Sequence, residues 1–167
     1  LIASAFLFGN TASFFTTLER FGIEVSFVDA TDISNLAAAV KDNTRVVFVE
    51  TIANPATQIA DLEAIGELCS TYSILYMVDN TMTSPHLFLP RSVNAGLSVN
   101  ALTKYIGGHG NALGGTVTDT GCFNWEGYPN ILDTYKSDDH SMWGITQIKK
   151  KGLRDMGGAL GPEAAHH

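Results

Sequence analysis

The sequence predicts an α/β fold of three layers, in which a mostly parallel sheet lies between two layers of helices. Apolar segments with strand character alternate with amphipathic segments along the chain, an order typical of such folds. Residues 45–49 are rich in β-branched side chains, as expected of a strand buried on both faces. Glu50, Asp79 and Lys104 each stand at or just past the end of a predicted strand. Because ligands bind beyond the carboxyl ends of parallel strands, these three side chains are expected at one functional edge.

The first helix and the first strand are predicted over residues 11–21 and 23–28. Four apolar side chains recur at helical spacing in the helical segment, and Gly22 is a typical stop signal after it. These four side chains are Phe14, Phe15, Leu18 and Phe21. Residues 23–28 alternate between apolar and polar, which indicates a strand.

The second helix is predicted over residues 33–41, before the buried strand at 45–49. Asp32 or Thr31 can cap this helix, since short polar side chains accept hydrogen bonds from the first free backbone amides. Its apolar stripe consists of Leu36, Ala37 and Val40.

The Asn54-Pro55 pair breaks the chain before a third helix at residues 61–72. Asp61 is the expected cap of this helix, and its inward side chains are Leu62, Ile65 and Leu68. Two more strands follow, at residues 74–78 and 97–102.

The last third of the chain predicts a strand at residues 115–118 and helices at 143–156 and from 162 onward. The sequence contains no internal repeat and no low-complexity linker. A single domain is therefore expected.

The composition excludes several classes of function. The 167 residues carry a formal net charge of −7 without a basic stripe, so no nucleic-acid partner is expected. No apolar run approaches the roughly 18 residues of a membrane span, so no membrane association is expected. Cys69 and Cys122 are far apart and lack metal-ligand spacing, which predicts free thiols in a cytoplasmic protein and no metal site.

Asp79 and Lys104 have the chemistry needed to hold pyridoxal phosphate (PLP). A carboxylate at the end of a buried strand is costly unless it is paired, and a protonated pyridine nitrogen is a suitable partner. Lys104 follows the apolar Leu102 by two residues, so partial desolvation is expected to make it a nucleophile toward an aldehyde. The alternatives are a helix cap or a structural ion pair for Asp79, and an ordinary surface lysine for Lys104.

A glycine-rich loop follows Lys104 and strengthens the cofactor hypothesis, because glycines let the backbone pass close to a planar ligand. A dinucleotide-binding loop is the competing interpretation, but its third glycine comes one residue late and a strand, not a helix, follows. His109 lies inside this loop, where a histidine is more often structural than catalytic.

Several stretches together resemble the Cys/Met-metabolism family of PLP enzymes, which includes γ-synthases, homoserine-ester sulfhydrylases and cystathionine or methionine lyases. They span most of the first 118 residues in the family's order. The matching stretches are Leu7-Phe8-Gly9-Asn10-Thr11, Phe21-Gly22-Ile23-Glu24-Val25, Val49-Glu50-Thr51, Asn54-Pro55, Val78-Asp79-Asn80-Thr81 and Leu102-Thr103-Lys104-Tyr105-Ile106-Gly107-Gly108-His109-Gly110.

The resemblance implies a fold-type I large domain and a role for each matching site residue. Lys104 corresponds to the Schiff-base lysine that also shuttles protons, and Asp79 to the acid that pairs with the pyridinium. Phe8 falls where the family has a tyrosine stacked on the cofactor ring, and Thr103 corresponds to a phosphate ligand. The remaining residues, which lie beside the ring or the substrate, are Asn54, Glu50 and Thr81.

Three positions depart from the family pattern. Phe8 keeps a stacking ring but lacks the tyrosine hydroxyl. Ala101 replaces a phosphate-binding serine, which removes a hydrogen bond worth roughly 1 kcal/mol or more. Asn10 stands where typical methionine γ-lyases have a cysteine.

The resemblance implies γ-replacement on an activated homoserine, and residues 152–157 are similar to a segment of the homoserine-ester sulfhydrylases. γ-Elimination by a methionine or cystathionine γ-lyase is the alternative. Two hypotheses from other classes remain, a non-catalytic relative of the PLP fold and a nucleotide-binding α/β domain.

Residues 1–167 are expected to be the central part of the PLP-binding domain, since the family's chain is much longer. The resemblance places the N-terminal arm, the phosphate loop and the C-terminal domain outside these residues. A homotetramer built from active dimers is implied for the full-length protein. By itself, the 167-residue chain is expected to be inactive and to bind PLP weakly.

Overall fold

The computed structural model describes residues 1–166 and contains one sheet of six strands. The strands are β1 (Ile2–Ser4), β2 (Ser26–Val28), β3 (Val46–Glu50), β4 (Leu75–Asp79), β5 (Leu97–Ala101) and β6 (Gly115–Asp119). Their spatial order is β2-β1-β3-β4-β5-β6, and every neighbouring pair is parallel except the antiparallel pair β5–β6. The predicted mostly parallel sheet is therefore confirmed.

The register of the parallel strands brings their polar ends together. Glu50 of β3 pairs with Asp79 of β4, and Asp79 pairs in turn with Val99 of β5. Because all three strands run in the same direction, their carboxyl ends form one edge of the sheet.

The described helices are α1 (Gly9–Leu18), α2 (Ile33–Ala39), α3 (Leu62–Thr71), α4 (Ser84–Leu87), α5 (Trp143–Gln147) and α6 (Pro162–His166). Helices α2 and α3 pack on one face of the sheet, where Leu36 and Ile65 join the largest buried cluster. Helix α1 covers the opposite face through Phe15, which contacts Phe48 edge-on at 5.0 Å between ring centroids. The segment around Trp125 covers the rest of that face. These contacts produce the predicted three layers.

The helix caps follow the sequence signals. Asp32 accepts a hydrogen bond from the Ser34 amide at 2.9 Å, and Asp61 accepts one from the Ala64 amide at 3.0 Å. After α1, a 3₁₀ turn over Glu19–Phe21 ends at Gly22, whose φ of +79° is readily adopted only without a Cβ. The prediction of Gly22 as a stop is confirmed.

Several sequence expectations differ from the structure. Strand β1 is missed, because three residues are too few to show a periodic pattern. The strand expected at 23–28 covers only Ser26–Val28, since β1 offers only three partners. Three residues assigned to apolar helix faces point to solvent instead, because neither sheet face reaches them. They are Phe14 (57% exposed), Phe21 (77% exposed) and Ala37 (exposed).

The chain after β5 reverses through a π-helical turn, Leu102–Ile106, before returning as β6. A helical segment runs from α5 through a second π-helical stretch, Ile148–Asp155, in agreement with the helix predicted at 143–156. Within residues 1–166, no helix combines the length and the apolar character needed to cross a membrane.

Candidate active site

A cavity of about 610 Å³ opens at the carboxyl edge of β3, β4 and β5. All seven residues predicted for the site line it. They are Phe8, Glu50, Asn54, Asp79, Thr81, Thr103 and Lys104. The structure thus brings together residues that are almost one hundred positions apart in sequence. Among them, Glu50, Asp79 and Lys104 meet as their positions at the strand ends predict.

Asp79 is held by a short relay of hydrogen bonds. Its Oδ1 accepts the Thr81 amide at 2.9 Å and the Thr81 hydroxyl at 2.5 Å. The Thr81 hydroxyl oxygen accepts in turn the Ala101 amide at 2.8 Å. Among residues 1–166, no group donates to Oδ2. One oxygen therefore orients the carboxylate, and the other remains available in the cavity.

Glu50 is buried, with 8% of its surface exposed, and both of its oxygens are occupied. Oε1 accepts the Phe8 amide at 2.7 Å, and Oε2 accepts the Asn54 amide at 3.0 Å. Burial raises the pKa of the Glu50 carboxyl, the two amide donors oppose that rise, and the nearby Asp79 carboxylate adds to it. No cationic side chain in the described part of the chain lies within 4.0 Å of Glu50.

Lys104 lies on the π-helical turn with φ −88° and ψ −119°, outside the helical region. Its carbonyl accepts the Gly108 amide at 2.7 Å, which closes the turn around it. The sequence predicts a partly desolvated Lys104. This prediction is wrong, because Lys104 is exposed. Lys104 follows Ala101, the last residue of β5, by only three positions, and it lines the cavity from the turn.

The glycine loop wraps the same rim. Gly108 and Gly110 line the cavity with φ of +77° and +65°, values that only glycine adopts easily. Thr103 accepts the Gly114 amide at 3.1 Å, which ties the loop to the turn. His109 is exposed and its Nδ1 contacts the Gly107 carbonyl at 2.8 Å, in keeping with the structural interpretation of this residue.

Phe8 and Asn54 reach the cavity from two separate segments. Phe8 immediately precedes α1, and its carbonyl accepts the Thr11 and Ala12 amides at 2.9 and 3.1 Å. Asn54 lies four residues after the end of β3, in the loop that follows it, and forms a cis peptide bond with Pro55. Neither segment is part of the sheet, so their positions depend on contacts with residues at the strand ends.

Four further lining residues are not predicted from the sequence. They are Thr11, Ile52, Met82 and Tyr105. Tyr105 and Met82 follow predicted site residues directly, so adjacency is the signal that could have identified them, and the Tyr105 hydroxyl contacts the Met82 sulfur at 3.9 Å. Within residues 1–166, no group of three or more His, Cys, Asp or Glu side chains could hold a metal ion.

Sequence comparisons relate this chain to known proteins. A family model described as Cys/Met metabolism PLP-dependent enzyme matches residues 1–167. The chain is 32% identical over 183 residues to O-acetyl-L-homoserine sulfhydrylase of Leptospira meyeri, an alignment that covers 97% of the chain and 41% of that protein. It is 40% identical over 152 residues to L-methionine gamma-lyase of Fusobacterium nucleatum subsp. polymorphum, covering 90% of the chain and 33% of that protein. The chain thus spans about two fifths or less of these relatives.

Solved structures give the same relationship. O-Acetylhomoserine sulfhydrylase of Wolinella succinogenes superposes with a TM-score of 0.89 at 36% identity, covering 99% of this chain and 47% of that one. The metY protein of Campylobacter jejuni, solved with N'-pyridoxyl-lysine-5'-monophosphate, superposes with a TM-score of 0.82 at 28% identity. That match covers 98% of this chain and 44% of the other.

Proposed function

The chain belongs to the Cys/Met-metabolism family of PLP-dependent enzymes, and we propose that its parent protein catalyses γ-replacement on an activated homoserine. The substrate class is an O-acylated homoserine with a thiol or sulfide as the second substrate. The convergence of Asp79, Lys104 and Phe8 on one cavity carries this proposal.

The residues that line the cavity fit PLP. The cavity of about 610 Å³ accommodates a substituted pyridine ring together with a small amino acid. Asp79 offers a carboxylate oxygen without an intramolecular donor, which suits a protonated ring nitrogen. The exposed amine of Lys104 has no hydrogen-bond partner among residues 1–166, so it is free to react with an aldehyde.

Four residues would hold the cofactor in the proposed mechanism. Asp79 would keep a proton on the ring nitrogen, and the Thr81 hydroxyl would hold that carboxylate in position. Phe8 would cover one face of the ring, since stacking depends only on the π-face. Thr103 would present its hydroxyl at the phosphate end while its oxygen anchors the glycine loop.

Lys104 would carry out the proton transfers. When bound, PLP supplies an aldehyde for the substrate amine and a ring that accepts an electron pair. The Lys104 Nζ would remove the α-proton of the substrate and return a proton at a neighbouring carbon. Phe8 has no hydroxyl, so no proton moves at that position.

γ-Elimination is the second candidate reaction. The 40% identity to an L-methionine gamma-lyase favours it. The sulfhydrylase relatives cover more of this chain, and the superposition on the Wolinella enzyme extends over 99% of it. Asn10, which replaces a cysteine of typical methionine γ-lyases, also favours replacement over elimination.

The first experiment is to trap the cofactor on the full-length protein. The protein is incubated with PLP, reduced with borohydride and digested, and the modified peptide is identified by mass spectrometry. A pyridoxyl group is expected on Lys104 in the wild-type protein, and Lys104→Ala should lose both this label and turnover. A folded wild-type protein without any label would instead support the non-catalytic alternative.

The two reactions are separated by their products. The full-length enzyme is given O-acetylhomoserine with sulfide, or methionine alone, and the products are quantified by mass spectrometry. γ-Replacement predicts homocysteine and acetate from the first mixture. If a keto acid and ammonia from methionine predominate, the elimination reaction replaces this proposal.

The arrangement of the full-length protein is also proposed. We propose that residues 1–167 are the central part of its cofactor-binding domain, as the resemblance implies; the chain spans 41% and 47% of two relatives. A cytoplasmic homotetramer composed of two active dimers is proposed as well, on the resemblance alone. Sedimentation of the full-length protein would test this assembly.

A further inference from the structure

Glu50 lies in the cavity, and the protein's own backbone engages both of its carboxylate oxygens. Both carboxylate oxygens accept backbone amides, one from Phe8 at 2.7 Å and one from Asn54 at 3.0 Å. These two residues come from segments on opposite sides of Glu50 in sequence, at separations of 42 and four positions. The carboxylate is therefore the contact through which β3 holds two loops at once.

We propose that Glu50 is a positioning residue, which orients the Phe8 ring and the Asn54 side chain over the cofactor through two backbone hydrogen bonds. This inference rests on the proposed function, because it assigns Glu50 a task in that same site. The expectation that Glu50 lies beside the ring and the substrate is thereby given a specific task, which is carried out through two neighbouring residues.

The arrangement of the donors suits a carboxylate. The two amide N–H groups reach different oxygens of the same side chain, and an ionised carboxylate offers two acceptor oxygens. Glutamine has nearly the same shape but one acceptor and one NH₂, so its NH₂ would face the N–H of either Phe8 or Asn54. A buried amide left without an acceptor is costly, so one of the two loops would move.

The N-terminus of α1 also lacks a side-chain cap of its own. Phe8 provides no side-chain hydrogen bond to the helix, and the first turn contains no acidic residue. Glu50 places a negative charge at this end from across the sheet, which is favourable for the helix dipole. The same contact thus stabilises the start of α1 and determines the position of the Phe8 ring.

The test compares wild type, Glu50→Gln and Asp32→Asn in the full-length holoenzyme. Asp32 is a matched control, since its carboxylate also accepts a backbone amide, at 2.9 Å from Ser34, but lies outside the cavity. Hydrogen exchange by mass spectrometry should show faster exchange of the Phe8 and Asn54 amides in Glu50→Gln. The Asp32→Asn variant should keep wild-type exchange at both positions.

Catalysis and the cofactor spectrum provide the second measurement. Glu50→Gln should lower kcat about tenfold with a smaller change in KM, because a misplaced ring affects the reacting geometry more than substrate capture. The circular dichroism of the bound cofactor should decrease, since it reports the asymmetry of the ring's surroundings. In a Phe8→Ala background, Glu50→Gln should cost only about threefold, because the ring it positions is absent.

Three outcomes would overturn the positioning role. The first is wild-type exchange at both amides together with kcat within twofold of wild type. The second is the same tenfold loss in the Phe8→Ala background. If Glu50→Gln does not fold, Glu50→Asp is measured in its place. The third outcome is then hydrogen exchange and kcat equal to those of wild type in Glu50→Asp. Failure of wild type to label Lys104 would reject the proposed function instead, so the two failures are distinguishable.

Discussion

At the scale of single residues, the cavity depends on how its carboxylates are held. The Thr81 hydroxyl donates to Asp79 and accepts from the Ala101 amide, so one side chain links the ends of β4 and β5. Asp29 and Thr31 form the same local motif, with the Thr31 amide at 3.0 Å and its hydroxyl at 2.5 Å from Asp29 Oδ1. This second motif lies outside the cavity and provides a natural comparison.

Replacing Thr81 by valine should weaken cofactor binding by about tenfold in Kd. The change keeps the shape, removes one of two hydrogen bonds that orient Asp79, and leaves the Ala101 amide without its acceptor, at a cost of about 1–3 kcal/mol. Titration of the apo full-length protein with PLP, followed by visible absorbance, measures this change.

Two controls accompany the Thr81 substitution. Thr81→Ser restores the hydroxyl and should recover most of the affinity. Thr31→Val breaks the equivalent motif at an exposed site and should leave Kd unchanged. Wild-type affinity in Thr81→Val would show that the relay does not orient Asp79.

At the scale of elements, α3 is held against the chain that precedes β5. A Cβ added at Gly66 would lie 1.9 Å from the Val93 carbonyl oxygen, which belongs to a 3₁₀ turn spanning Pro90–Val93. The helix can approach the turn this closely only because residue 66 has no side chain. This contact fixes the distance between α3 and the segment leading to β5.

Gly66→Ala should destabilise the full-length protein by about 1–3 kcal/mol. The expected steric cost exceeds the roughly 1 kcal/mol that alanine gains over glycine in a helix interior. Gly152→Ala is the control, since a Cβ there meets nothing within 4 Å. Urea unfolding monitored by far-UV circular dichroism measures both variants, and equal stability of the two would contradict close packing at Gly66.

At the scale of the whole molecule, the three layers divide the two cysteines into different environments. Cys69 on α3 is 1% exposed within the core beneath the sheet, and burial raises the pKa of its thiol to about 12. Cys122 follows β6 and is exposed. Both thiols are free, as the spacing of the cysteines predicts.

Alkylation of the native full-length protein with iodoacetamide at pH 8 should spare Cys69. The thiolate is the reactive form, and a pKa near 12 leaves almost none of it at that pH. Peptide mapping should show modification of Cys122 in the native state and of both cysteines after unfolding in urea. Rapid native-state modification of Cys69 would show that α3 does not seal the core.

Much of the fold could be predicted because its signals are local. The buried strands at Val46–Glu50 and Leu75–Asp79 and the helix capped by Asp61 are each encoded by patterns that span fewer than a dozen residues. The site residues Asp79 and Lys104 could be located because Asp79 ends β4 and Lys104 follows the end of β5 by three positions. Strand β1 could not be predicted, since its three residues become a strand only by pairing with β2 and β3.

The sequence by itself determined which residues end the strands, and therefore which side chains reach the functional edge. Only the tertiary structure decided what those side chains do there. The 42 positions between Phe8 and Glu50 are bridged because β1 and β3 are neighbours in the sheet. Strand order is a property of the whole packed chain, so no pattern within a single segment could specify that Glu50 would bind two backbone amides.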